Sequence, residues 1–528
     1  VHRLTVLLVL AIAVPLADHP GSAQAFTVLK NEGAGGSSSP AEVAVKFHDV
    51  NQVRLAVTST GQIGNDLRTG NGAGFWPKST LNSYVFGAGI WIGALADIDG
   101  DGDRDELFVQ GYDPLSGGSE FRTGRAAQDP ADPVATLFAS TDPEDLALWP
   151  EEFREIDNDP QSPTYGRSIP RVISDQDLVA IYTTLGKMPL FGRSPPLEVR
   201  QRSLAFRAGL SGNVILFFFD IENLSERIPT GPFTLEEAFL GFDADVDIGV
   251  EYTDDRTSYF TSQVTPEGDT IPLHMAFAWD RDFQEYSYSG DPGFLGFAFI
   301  QSPGNDYDGI DNDNDGMIDE SPFNGIDDDG DGLIDEMPDE VDQLGLVNYS
   351  FHCGPSTCNS RPDPQDDPEG YRIMSCNPPD ECIEVTEATD IRFMMSSGPL
   401  RIRPGETHRM VVAFVFANAV GDPADIPVYG DPPRPDPNDI YFQELLATRS
   451  MAQAIFDLDF VKAPPPPAPK VTLVPGDRQI TVLWDSGPVH APDEMYADLV
   501  GLDPSYREYD FEGFRLWRSR TGMFSTDG

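Results

Sequence analysis

The chain has 528 residues, and its 87 acidic side chains against 35 basic ones give a formal net charge of −52. That balance argues against nucleic acid or an anionic membrane surface as a partner and fits cation binding, with adaptation to a salty habitat as the plain alternative. Apolar residues at 40% and aromatic residues at 10% exclude wholesale disorder, and the length allows roughly two to four domains with sizeable cores.

Residues 1–25 read as a signal peptide. His2 and Arg3 give a short positive start, and 4–16 is an apolar stretch too short to span a bilayer comfortably. Ala23-Gln24-Ala25 is a small-x-small cleavage site, so the mature chain is expected to begin at Phe26. A valine at position 1 fits a GTG start codon and hence a bacterial gene. No later stretch has the length and apolarity of a membrane helix. The expected location is extracellular or cell-surface, with no membrane insertion after signal cleavage.

Residues 26–45, with GAGGSSSP, form a flexible lead-in. A β-rich main region, one domain or two, is expected over 46–461. Strand patterns cover 50–58, 84–95 and 106–112, and the last two are joined by ADIDGDGDRDEL. There Asp97, Asp99, Asp101, Gly102 and Asp105 stand at positions 1, 3, 5, 6 and 9 of a loop, followed by Glu106. Alternate carboxylates turn toward one centre, and the glycine permits a sharp turn. Oxygen-only ligation of this kind suits Ca²⁺; zinc would want His or Cys. The loop would also close a hairpin.

Gly72–Ser79 shares residues with a phosphate loop, but Pro77 occupies the place of its second glycine. Gly87-Ala88-Gly89 lies inside a strand and reads as a bulge or close sheet packing. Residues 126–170, rich in Asp, Pro and Ser, should be irregular with short helical turns. Strands follow at 177–185, 197–209, 213–223 and 235–250. The run 216–219 is unbroken apolar and so is expected to be buried on both faces. Asp243, Asp245 and Asp247 alternate, with Asp254 and Asp255 close behind. They are either a further cation site lacking the position-6 glycine or the polar face of a strand.

After strands at 274–279 and 294–301 comes the densest acidic stretch, 305–342, with sixteen acidic residues and no Lys or Arg between Arg281 and Arg361. GIDNDNDGMIDE and GIDDDGDGLIDE start sixteen residues apart and agree at nine of twelve positions. Asp311, Asp313, Asp315, Asp319 and Glu320 repeat the frame of the upstream loop, as do Asp327, Asp329, Asp331, Asp335 and Glu336. Position 12 is proline in both copies (Pro322 and Pro338), which departs from the EF-hand and opposes an exiting helix. Glu320 and Glu336 are candidate substitutes for the missing bidentate glutamate. A plain charge run has no reason to repeat its glycine register, although a solvated acidic stretch is the alternative.

The cysteines, Cys353, Cys358, Cys376 and Cys382, are an even set in an exported chain and read as two disulfides. Three connectivities are open, and PDPQDDPEG between them would be a stapled loop. A zinc site using His352 fits the spacings less well. Strands are expected at 391–396 and 407–418, with GPLRIRPGE between them as turn, strand and turn. One helix covers 439–458, N-capped by Asn438 and packed on the sheet as a brace. Residues 462–470 form a proline linker and a domain boundary.

The acidic loops resemble those of thrombospondin type 3 repeats, dockerins and integrin-type FG-GAP repeats. Residues 471–528, with KVTLVPGDRQITVLWDSG and FEGFRLWRSR, resemble part of a fibronectin type III domain, with strands at 471–474, 479–484 and 514–518 and Trp484 in its core. The sequence stops before the last strands of that domain, so truncation is expected. NGAGFWPKSTLNSYVFGAGIWIGAL, PLSGGSEF and SSGPLRIRPGE, with the acidic loops and the linker, resemble large uncharacterised exported proteins of Bacteroidota- and Gemmatimonadota-type bacteria. That resemblance implies a secreted or surface location, often with a C-terminal type IX secretion signal, and brings no catalytic residues.

No catalytic motif stands out: the mature histidines are single and scattered, and no G-x-S-x-G or H-E-x-x-H occurs. Trp76, Trp91, Trp149 and Trp279 are candidates for a sugar-binding face, with core packing the better reading. The expectation is a mainly β, multidomain, β-sandwich-like protein with calcium-loop insertions and one helix before a proline linker. It would be a Ca²⁺-binding structural, adhesion or scaffold protein whose partner is a cell-surface protein or polysaccharide. The alternatives are a carbohydrate-binding or glycoside-active protein, or an accessory part of a larger exported enzyme.

Overall fold

The computed structural model describes residues 43–509 except for 81, 127–132, 159–161, 163, 188, 190–192, 208, 250, 252, 267, 282, 287, 305–342, 354–362, 376–389, 421–434, 459, 461–469, 477–478, 493–499 and 501–507. In chain order its principal strands are β1 (Val45–His48), β2 (Arg54–Thr58), β3 (Ser83–Ala96), β4 (Asp105–Gln110), β5 (Gln176–Thr183), β6 (Leu197–Ala205) and β7 (Val214–Asn223). They continue with β8 (Leu235–Val246), β9 (Asp255–Val264), β10 (Thr270–Asp280), β11 (Phe294–Gln301), β12 (Asn348–Cys353), β13 (Ile391–Ile402) and β14 (Thr407–Ala417). Two helices matter to the packing, α1 (Asp367–Met374) and α2 (Gln443–Asp457).

The strands form two large antiparallel sheets, so the chain is mainly β and β-sandwich-like. The first sheet runs β1, β2, Gly74–Phe75, β3, β8, β13, β12, with β4 also paired to β3. The second runs β9, β10, β11, β14, β7, β6, β5, Arg122–Thr123. One apolar core lies between them. Phe414 of β14 sits 4.8 Å from Phe217, 4.6 Å from Phe297 and 5.4 Å from Phe242, which comes from the opposite sheet. Each such ring, fully buried, contributes about 1.5–3 kcal/mol.

Strand alternation explains the unbroken apolar runs. On β14, Met410, Val412, Phe414 and Phe416 face the central core. Val411, Ala413, Val415 and Ala417 face the other way, where Leu445, Ala452 and Phe456 of α2 cover them. Both faces of the strand are dry, so no polar residue interrupts it. The expected brace helix is therefore present, but its start differs. A 3-10 turn, Ile440–Phe442, precedes α2, and the Asn438 side chain bonds Asp436 instead of capping the helix.

Five further differences from expectation stand out. The strand expected over 50–58 is confined to β2, which pairs with β1, a strand that precedes the expected stretch. GPLRIRPGE contains no separate strand, because β13 runs unbroken to Ile402 and the turn comes after it. The end of the expected PDPQDDPEG loop, from Asp367 on, instead opens α1: Asp366 caps it by accepting from Glu369 N, and a proline stands in its first turn. The strand β9 was not expected, since its polar residues hide the alternation. The hairpin Val471–Gly476 and Gln479–Trp484 matches the two strands read there, but Trp484 is 46% exposed and no core residue.

Candidate metal centre

The first acidic loop closes the β3–β4 hairpin, in which Ala96 pairs with Asp105. Gly100 and Gly102 take positive φ (78° and 93°), so the glycine register seen in the sequence has a conformational cause. Asp97 turns inward and accepts from Gly100 N (2.7 Å) and Gly102 N (3.0 Å). Asp99 and Asp101 each cap a further backbone N–H. One carboxylate oxygen from each of Asp97, Asp99 and Asp101 lies within 4.8 Å of the others. This all-oxygen donor set fits a hard divalent cation. Asp105 is set apart from the three: Arg193 bridges it to Asp99, with contacts of 2.6 and 2.9 Å, and holds the Asp99 carboxyl below its ordinary range. Glu106 is exposed.

The tandem motifs, with Asp311, Asp313, Asp315, Asp319, Glu320, Asp327, Asp329, Asp331, Asp335 and Glu336, lie outside the described residues. Their stem is described. Gly304 bridges Gln343, whose Oε1 accepts from Ser302 N (2.9 Å), and Gly345 N donates to Ser302 Oγ (2.7 Å). The excursion thus leaves and rejoins the sandwich at one clamped point. Cys353 ends β12; its side chain, together with Cys358, Cys376 and Cys382, lies outside the described residues, as does the proline linker.

A second acidic constellation is buried on the outer face of the first sheet. On β8, Leu240, Phe242, Ala244 and Val246 point into the central core, so Asp243, Asp245 and, beyond the strand end, Asp247 share the opposite face. Register sets Asp243 against Gly89 and Asp245 against Gly87 on β3. The missing side chains make room for Tyr112: a Cβ on Gly87 would lie 2.2 Å from its ring. The close-packing reading of Gly87-Ala88-Gly89 is therefore right. On the other side Asp245 pairs with Arg392 of β13, and Arg392 with His352 of β12.

The side chains interlock. Tyr112 OH and Arg392 Nε donate to Asp245 Oδ2 at 2.9 and 3.1 Å. Arg392 also reaches Asp363 (3.6 Å) and Asp390 (3.5 Å). His352 bonds Asp243 through Nε2 and Asp363 through Nδ1, both at 2.7 Å, and stacks on Trp91. Burial opposes a charged imidazole, but the two carboxylates outweigh it and push His352 up to about 9. Burial also raises Asp243, more than His352 lowers it. The imidazolium governs this pair, because two carboxylates hold it. Burial raises Asp245 to about 6 despite Arg392, and it raises Asp247 further, helped by the like charges of Asp245 and Asp390.

The sequence shows the alternation of Asp243, Asp245 and Asp247 but gives no sign of Tyr112, Asp363, Asp390 or Arg392, which arrive from distant segments. Trp76, Trp91, Trp149 and Trp279 are all buried and present no surface row. No helix among the described residues is long and apolar enough to cross a membrane. No protein-family model matches this chain, and no curated protein matches it.

Proposed function

We propose that this chain is an exported, surface-associated structural protein that uses Ca²⁺ to hold acidic loops in shape. The observation that carries this reading is the convergence of Asp97, Asp99 and Asp101 within 4.8 Å on a hairpin turned by two left-handed glycines. The same frame recurs at 311–320 and 327–336 in the sequence. Without a cation, these carboxylates repel one another at short range; a bound divalent ion turns that repulsion into cross-linking. Affinity in the range of extracellular modules, about 10⁻⁴–10⁻³ M, would keep the loops loaded outside a cell. A rigid acidic surface of this kind suits adhesion or scaffolding, with a cell-surface protein or polysaccharide as partner.

Calorimetric titration of the full chain with Ca²⁺ tests the reading. Uptake should fall by one site when Asp99 and Asp101 are both changed to Asn, and by two more when Asp313, Asp315, Asp329 and Asp331 are changed as well. Unaltered uptake in these variants would overturn it.

A further inference from the structure

We propose that Asp245, Asp247 and Asp390 form a divalent-cation site on the outer face of the first sheet, separate from the surface loops and independent of whether those loops bind calcium. One carboxylate oxygen from each residue lies within 4.8 Å of the others, and Asp245 is buried. The set is all oxygen, so the ion is a hard one, with Ca²⁺ favoured over the more strictly octahedral Mg²⁺.

Charge counting supports an ion here. Asp243, Asp245, Asp247, Asp363 and Asp390 crowd one face, and Arg392 and His352 supply two positive charges against these five carboxylates. His352 is committed to Asp243 and Asp363. Arg392 is shared among three partners. The Asp247 carboxylate makes no hydrogen bond or ion pair among the described residues. Asp247 is half-buried, and an uncompensated carboxylate with reduced access to water is costly unless it takes up a proton or a cation.

Unpartnered oxygens around the cluster are the second observation. Asp243 shares the strand face of Asp245; it is 0% exposed, and its Oδ2 has no hydrogen-bond partner. Asp255, also 0% exposed, anchors Oδ2 on the N–H of Ile248, the residue after Asp247, and its Oδ1 has no partner. Asp247 is the like charge that acts on it most strongly. Two further buried acidic oxygens, one two residues before Asp245 on its strand and one on the carboxylate that holds the residue after Asp247, are thus unsatisfied. Tyr112 and Arg392 occupy only Oδ2 of Asp245, which leaves Oδ1 to a metal.

Tyr112 also supplies a probe. Tb³⁺ replaces Ca²⁺ in oxygen sites and luminesces when an adjacent aromatic ring is excited, and the Tyr112 hydroxyl is bonded directly to a proposed ligand. The experiment uses the full chain with Asp99, Asp101, Asp313, Asp315, Asp329 and Asp331 changed to Asn, so that the surface loops are silent. The proposal expects saturable Tb³⁺ luminescence at about one ion per chain, displaced by Ca²⁺, with affinity at least about tenfold weaker after Asp247→Asn or, separately, Asp390→Asn. It also expects Ca²⁺ to raise the Tm of the silent-loop chain, and Asp247→Asn to abolish that rise. The proposal is overturned if the silent-loop chain gives no saturable signal, or if Asp247→Asn raises Tm regardless of Ca²⁺. The latter result would mean that the carboxylates are relieved by protonation and hold no metal.

Discussion

His352 Nε2 lies 2.7 Å from Asp243 Oδ1, with both side chains fully buried. Asp363 takes the other ring nitrogen, so three ionisable groups from β8, β12 and the segment before α1 form one closed unit. Removing the imidazole leaves two buried carboxylates facing each other. His352→Leu should therefore lower stability by about 3–5 kcal/mol, measured by urea unfolding. A loss below about 1 kcal/mol would show that the unit is not charged.

The same unit sets a pH dependence. The folded pKa of His352, about 9, lies above its ordinary 6.5, so the folded state favours the protonated ring. Its contribution is complete below pH 6.5 and is lost as pH rises through about 9. The shift corresponds to a contribution on the order of 3 kcal/mol. Unfolding free energy should fall between pH 7 and 9.5, and the fall should be shallower in His352→Gln.

Gly87 is predicted to be intolerant of any side chain. The Tyr112 ring fills the space where its Cβ would stand, and Tyr112 in turn bonds Asp245. Gly87→Ala should destabilise by about 1–3 kcal/mol through overpacking and should weaken Tb³⁺ sensitisation at the buried site. Gly100→Ala, in open space but at φ 78°, should instead disturb only the surface loop.

Arg193 competes with a cation for the first loop, because its guanidinium sits on Asp99 and Asp105. Both partners are solvent-exposed, so Arg193→Gln should leave Tm nearly unchanged. Ca²⁺ affinity at this loop should rise severalfold, and the advantage should shrink at high salt as the competing ion pair is screened. Calorimetric titration of a chain whose tandem loops are silenced would check both points.

Much of the fold was legible because its signals are local. The alternation of β7 and β14, the glycine register of the 97–106 loop and the apolar stripe of α2 each follow from neighbouring residues. β9 was missed because polar residues break its pattern. α1 is announced by Asp366 and the proline after Asp367, but its place between Cys358 and Cys376 suits a stapled loop equally well. The buried acidic layer was half legible. Asp243, Asp245 and Asp247 declare one strand face, but whether that face meets water depends on Tyr112, Asp363 and α1. Those segments fold over it from elsewhere in the chain, and no local pattern encodes their arrival.

The most direct test of calcium as a structural element is the thermal unfolding of the full chain in 2–5 mM Ca²⁺, roughly the extracellular regime, and again with excess chelator. The account predicts a large rise in Tm with Ca²⁺ that Mg²⁺ does not reproduce and that shrinks when Asp99, Asp101, Asp313, Asp315, Asp329 and Asp331 are changed to Asn. An identical Tm with calcium and with chelator would contradict it and leave the repeated motifs as solvated acidic loops.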